Sequence, residues 1–205
     1  MFENNPEKPY DTPKKGEFRK KHTWLQLGYG TDLAIGNLDS KQTSENFYSA
    51  SINQKFRLNK TLSHGFGGGV YLQTHSLSEK GLTTLLHNDW DKGSLRFWGL
   101  DANYFVRIYF SRKYGTVPGW YCDLAAFGQF NFHQRTQFTK GKTTIKTVGG
   151  DFAERYAAGF ETRLGFRTIA LFARYKLVSE SDVSFFTSMD LPKWSVGLSL
   201  DIGLN

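Results

Sequence analysis

Three sets of side chains in this 205-residue chain could do chemistry. The first is the run His75, Ser76 and Ser78, with His87, Asp89 and Asp91 following it. An imidazole beside a hydroxyl is the raw material of an activated nucleophile, as hydrolases and acyltransferases use it. No carboxylate is spaced to orient His75, so His75, Ser76 and Ser78 stand as weak catalytic candidates and no catalytic set is assigned. The five histidines, at 22, 64, 75, 87 and 133, show no metal-ligand spacing, and Cys122 is the single cysteine. A zinc site needs several such ligands close together, so neither a metal nor another cofactor is expected. The Gly28–Gly30 and Gly67–Gly69 stretches are not phosphate loops, because no helical pattern follows them.

The second set is a group of charges set among polar and aromatic residues: Asp101, Arg107, Asp123, Glu161, Arg163, Arg174 and Asp201. Charges that share one interior must be paired or hydrated. A mutually paired network is the reading taken, against a proton or ion path. The third set is basic. The stretch TKGKTTIKT (139–147) carries Lys140, Lys142 and Lys146 without an acid, and Arg96 lies at a comparable position on a neighbouring segment. These residues suit lipopolysaccharide phosphates or a solvated loop.

The elements that must position these residues are strands. Eighteen Phe, ten Tyr, five Trp and twenty-one Gly favour strands and turns. Apolar stretches such as TIALFA (168–173) are far too short for a membrane-spanning helix. The negative mean hydropathy does not exclude a membrane barrel, which spreads its apolar residues over alternate positions. Period-two patterning predicts eight strands, at 22–33, 46–58, 65–76, 94–110, 119–134, 151–165, 167–178 and 193–204. Links after the second, fourth and sixth are short; the other four are long and polar. Short turns at one end and long loops at the other are the pattern of outer-membrane barrels.

The two faces differ in kind. One carries residues such as Leu25, Leu27, Ile52, Val70, Leu100, Leu124, Phe160, Leu171 and Leu198, with Arg96 and Glu154 its only charges. The other carries seven positive and five negative charges, with Asn, Gln and several large aromatics between them. Trp98, Trp194, Tyr48 and Tyr156 fall toward the long-loop end of the apolar face, and Trp120 and Phe110 toward the short-turn end. Two aromatic belts match two membrane interfaces. The expected fold is therefore all-β: an eight-stranded antiparallel up-and-down transmembrane β-barrel with a closed polar lumen. The competing arrangement is a soluble lipocalin-like barrel with an apolar ligand cavity and a charged exterior.

This layout resembles the small eight-stranded outer-membrane barrels of the OmpX and OmpA-transmembrane kind. GLDANYFVRIYF (99–110) and KWSVGLSLDIGLN (193–205) are similar in texture to outer-membrane β-barrel domain proteins of Bacteroidota. The resemblance covers residues 22–205. It implies the outer membrane of a Gram-negative bacterium, with the N-terminus and C-terminus periplasmic. Residues 1–21, rich in Lys and Arg and without periodicity, read as a flexible basic arm on that side. Nothing near the arm supplies a nucleic-acid reading element, so no nucleic acid is expected as a partner.

The expected role is a non-enzymatic scaffold, adhesion or accessory subunit, held in outer-membrane lipid and lipopolysaccharide within a larger outer-membrane protein complex. Phe185, Phe186 and Met189, in the loop SESDVSFFTSMDLPK, are the expected protein-partner contacts. The alternative is a lipid-modifying enzyme, a hydrolase or acyltransferase acting on lipid A or phospholipid.

Overall fold

A computed structural model describes residues 21–33, 42–59, 61–77, 91–110, 119–149, 155–180 and 193–204. They form β1 (Lys21–Leu33), β2 (Gln42–Arg57), β3 (Leu62–Leu77), β4 (Lys92–Tyr109), β5 (Trp120–Lys140), β6 (Thr143–Val148), β7 (Tyr156–Phe166), β8 (Ile169–Glu180) and β9 (Trp194–Leu204). Each strand pairs antiparallel with the next along the chain, except that β5 pairs with β7 past the short β6. β1 pairs with β9 from Thr23 opposite Leu204 to Leu33 opposite Trp194, and β4 pairs with β5 along its whole length. Eight strands thus close into a ring, and β6 hangs from β5 alone among the described residues. This is the expected up-and-down barrel.

Closure assigns the two faces. Burial alternates strictly along β7, with Ala157, Gly159, Glu161, Arg163 and Gly165 inside and Tyr156, Ala158, Phe160, Thr162, Leu164 and Phe166 outside. The other ring strands follow the same period apart from an interruption in β5, because successive side chains on a strand point to opposite faces. Leu27, Ile52, Val70, Leu100, Leu124, Leu171 and Leu198 are therefore exposed, whereas Lys55, Asp101, Arg107, Asp123 and Arg163 are buried. Three aromatic clusters fill the interior: Trp24 with Phe105, Phe47 with Tyr71 and Phe172, and Tyr109 with Tyr121. An eight-stranded ring is just wide enough for its own side chains. One small cavity among Gln26, Ser51, Asp101, Asn103 and Arg174 holds about 10 Å³, room for one water molecule.

The start of β1, Lys21, and the end of β9, Leu204, lie at the rim where β2 ends and β3 begins and where the turn at 167–168 joins β7 to β8. Departures from the expected strands occur at the other rim. β5 runs on to Lys140 and returns through a turn at Gly141–Lys142 into β6, so the basic stretch is a hairpin and not an open loop. A one-residue bulge also interrupts the β4–β5 ladder: Trp98 opposes His133 while Gly99 opposes Asn131, leaving Phe132 extra. The strand expected to begin at 151 begins at Tyr156; residues 151–154 are outside the described set.

Glycines make room for the interior rings. A Cβ on Gly165 would overlap the Tyr121 ring, whereas one on Gly128, which faces outward, would meet nothing within 4 Å. Overpacking a filled core costs about 1–3 kcal/mol. Gly165→Ala is therefore expected to lower the unfolding midpoint of the folded protein, with Gly128→Ala unchanged, as read by circular dichroism. Equal midpoints for the two variants would contradict this packing.

Candidate functional site

All seven charges singled out in the sequence meet in the lumen. Arg107 on β4 and Arg163 on β7 lie directly across the ladder from Asp123 on β5. Arg107 grips that carboxylate with two bonds, Nε to Oδ1 at 2.7 Å and Nη2 to Oδ2 at 2.9 Å. Such fork-to-carboxylate pairs are the strong, directional kind. Arg163 Nε sits 3.3 Å from both Asp123 Oδ2 and Glu161 Oε1. Arg174 on β8 reaches Glu161 Oε2 at 2.6 Å through Nη2 and Asp101 Oδ2 at 2.9 Å through Nη1. Asp201 on β9 lies 3.5 Å from Arg107 Nη2 and accepts from the Tyr121 hydroxyl at 3.1 Å. The result is one alternating series, Asp101–Arg174–Glu161–Arg163–Asp123–Arg107–Asp201, drawn from five strands.

Aromatic faces cover the arginines. The Arg107 guanidinium stands 3.8 Å from the Tyr121 ring centroid and 4.9 Å from that of Trp24. That of Arg174 lies 4.3 Å from the centroid of Phe127 and 5.1 Å from that of Phe47. Guanidinium is weakly hydrated and stacks well, so it suits a dry interior better than ammonium does. Lys55, fully buried, donates to the Tyr109 hydroxyl, and Lys176 to Gln73 Oε1 at 3.5 Å. Gln26 is a member that sequence reading missed. Its Oε1 accepts from Arg163 and from Asn53 Nδ2 at 2.9 Å. Its even-numbered place on β1 beside Trp24 was the signal available.

The other sites sort by face. His75 is buried in the lumen, edge-on to Phe97 with centroids 5.2 Å apart. Ser76, its neighbour on β3, points the other way, so the two are not brought together. Ser78, His87, Asp89, Phe185, Phe186, Met189 and the arm at 1–20 lie outside the described residues. No group of three or more His, Cys, Asp or Glu side chains able to hold a metal occurs among the described residues. Trp98, Tyr48, Tyr156 and Trp194 are all exposed toward the long-loop rim, and Trp120 and Phe110 toward the short-turn rim. Ring pairs stitch these belts: Tyr29 with Tyr48 at 5.2 Å, Tyr175 with Trp194 at 4.7 Å and Trp120 with Phe166 at 5.1 Å. Arg96 is exposed on the outer face of β4. Of the three lysines, Lys146 shares that face, Lys142 sits in the hairpin turn and Lys140 belongs to the opposite face.

No protein-family model matches the sequence, and no curated protein is similar to it. Among solved structures, the chain is similar to the N-terminal β-barrel domain of Pseudomonas aeruginosa OprF. The two are 14% identical, with 89% of this chain and 98% of that one covered at a TM-score of 0.36.

Removing Asp123 would leave Arg107 and Arg163 buried beside less negative charge. Breaking such a pair costs about 3–5 kcal/mol, so Asp123→Ala is expected to lose several degrees or more of thermal stability. Planar-bilayer recordings of the same variant should show no steady open conductance, since the interior aromatics still fill the lumen. A large ohmic conductance in wild type or variant would contradict the packed interior.

Proposed function

We propose that this protein is an integral outer-membrane barrel with a non-enzymatic scaffold, adhesion or accessory role, exposing its long-loop end to protein partners. The observation that carries the reading is the inversion of the barrel: charges inside, leucines and aromatics outside. A soluble ligand-binding barrel needs the reverse. The spacing of the belts fits as well. Tyr156 and Phe166, both outward, are ten residues apart on β7, about 33 Å along a strand. At a tilt of about 40° that is roughly 25 Å of height, the thickness of the apolar band on outer-membrane barrels.

The filled lumen turns attention to the rims. β5 leaves β7 at Phe130 and continues for ten residues with β4 on one side, joined from Arg135 to Lys140 by β6 on the other. β6, TTIKTV, is exposed throughout, and among the described residues its second edge is unpaired. A free edge offers backbone donors and acceptors to an extended segment of a partner. In a Gram-negative cell this end would face outward, and the rim where β1 begins and β9 ends would face the periplasm.

Two measurements test the reading. Wild type should require detergent for extraction, and Leu198→Arg, midway along the outer face of β9, should reduce insertion into lipid vesicles by about 2–4 kcal/mol. Aqueous recovery, or an unaffected Leu198→Arg variant, would refute the membrane assignment. For the partner, residues 136–147 are replaced by an Asn-Gly turn, which keeps the β4–β5–β7 ladder below. Proteins that co-purify with wild type in mild detergent should be lost from this variant; their full retention would remove the hairpin from the interface.

A further inference from the structure

The bulge in β5 has a chemical consequence at the outer rim. Below it, odd-numbered residues of β5 face the lumen, as Tyr121, Asp123, Phe127 and Gln129 do. Phe132 is the extra residue, and above it the parity reverses: Gln134 and Thr136 are buried, and Arg135 is turned to the outside. There Arg135 lies directly opposite Arg96 in the β4–β5 ladder. Side chains so placed have Cβ atoms about 4.5–5.5 Å apart, and like charges at that spacing repel.

Neither arginine has an acidic partner among the described residues, and the Nε of Arg135 is buried without a hydrogen-bond acceptor. Exposed His133, two residues below, stands opposite Trp98 on this same face; Lys146 adds a positive charge two residues above. Two arginines directly opposite each other on one face, without an acidic partner among the described residues and beside an interfacial tryptophan, offer the fork-shaped donors that a tetrahedral oxyanion with several acceptor oxygens accepts from.

We propose that Arg96 and Arg135 form a binding site for the phosphate group of a membrane lipid, with Lys146 and His133 at its edge and the lipid's acyl chains lying on the apolar wall below Trp98. The site rests on the membrane reading given above, which supplies a lipid at this height. Trp98 marks the interface, and Arg96, two residues further along β4, is about 7 Å beyond it, at the level of headgroups. The sources of the phosphate are separable, because a lipid-borne group gains from the acyl contact and free phosphate does not.

The test uses the full chain folded in an uncharged detergent and titrated with three probes: phosphorylated lipid A, the same lipid lacking its phosphates, and inorganic phosphate. Wild type is expected to retain phosphorylated lipid A in native mass spectrometry, with retention falling about tenfold for each of Arg96→Gln and Arg135→Gln. Lys140→Gln, on the opposite face, should bind as wild type. A second readout is thermal. Without lipid, Arg135→Gln should unfold no lower than wild type, since a repulsion has been removed; with phosphorylated lipid A, wild type and Lys140→Gln should gain several degrees and the two arginine variants should not.

Equal retention by wild type and both arginine variants would overturn the site, as would equal binding of the dephosphorylated lipid. Inorganic phosphate giving the same gain as the lipid would overturn the lipid as ligand. Recovery of the protein without detergent would refute the membrane reading itself, a result distinct from detergent-dependent protein that shows no selectivity for phosphate.

Discussion

From Thr23 opposite Leu204 to Leu33 opposite Trp194, eleven residues of β1 pair with eleven of β9, and this closure dictates what each face can be. A closed ladder leaves no ring strand at a sheet edge. It also divides the side chains into those that share a narrow interior and those that share an outer wall. Because the wall is apolar on every strand, polar residues at the alternate positions have nowhere to go but inward. There they meet one another at short range, without room for bulk water.

That confinement explains why the lumen is a series of alternating charges and not a scatter of them. An unpaired charge in so small a space is costly, while one flanked by two opposite charges and an aromatic face is tolerated. Asp123 lies directly opposite Arg107 on one side and Arg163 on the other, so its position is tied to the register of three adjacent strands. A slip of two residues would keep every leucine facing outward and would still separate this carboxylate from both partners. The apolar wall fixes which face is which, and the ion pairs fix the register along it.

Much of this was legible in the sequence because strict alternation is a strong signal and the two faces have such different chemistry. The eight ring strands, the inward set Asp101, Arg107, Asp123, Glu161, Arg163, Arg174 and Asp201, and the outward Trp98, Tyr156, Trp120 and Trp194 all follow from parity alone. Parity fails where a residue is inserted. Phe132 and His133 are both exposed, so the alternation that defines β5 breaks there, and the strand was expected to end at 134. Beyond the bulge, Gln134, Arg135, Thr136 and Gln137 offer no apolar contrast by which a face could be read. The hairpin into β6 was hidden for the same reason: TTIKTV is exposed on both sides, and nothing selects its period. Gln26 was missed because a neutral amide among leucines does not announce a partner 137 residues away.

The bulge also shows how one residue can join the two regimes of the molecule. Bulges concentrate at barrel rims, where they re-aim a side chain and increase the local twist. Without Phe132 in excess, Arg135 would point toward Gln73, His75 and Phe97 in the upper lumen, adding a cation to an interior already holding Lys176 nearby. With it, the lumen receives Gln134 and Thr136, and the charge moves to the boundary between apolar wall and solvent. At that boundary a guanidinium keeps its stem on the wall and its head among polar groups. The insertion thus removes a charge from where it would be hardest to pair and sets it beside Arg96, leaving the compensating anion to come from outside the chain.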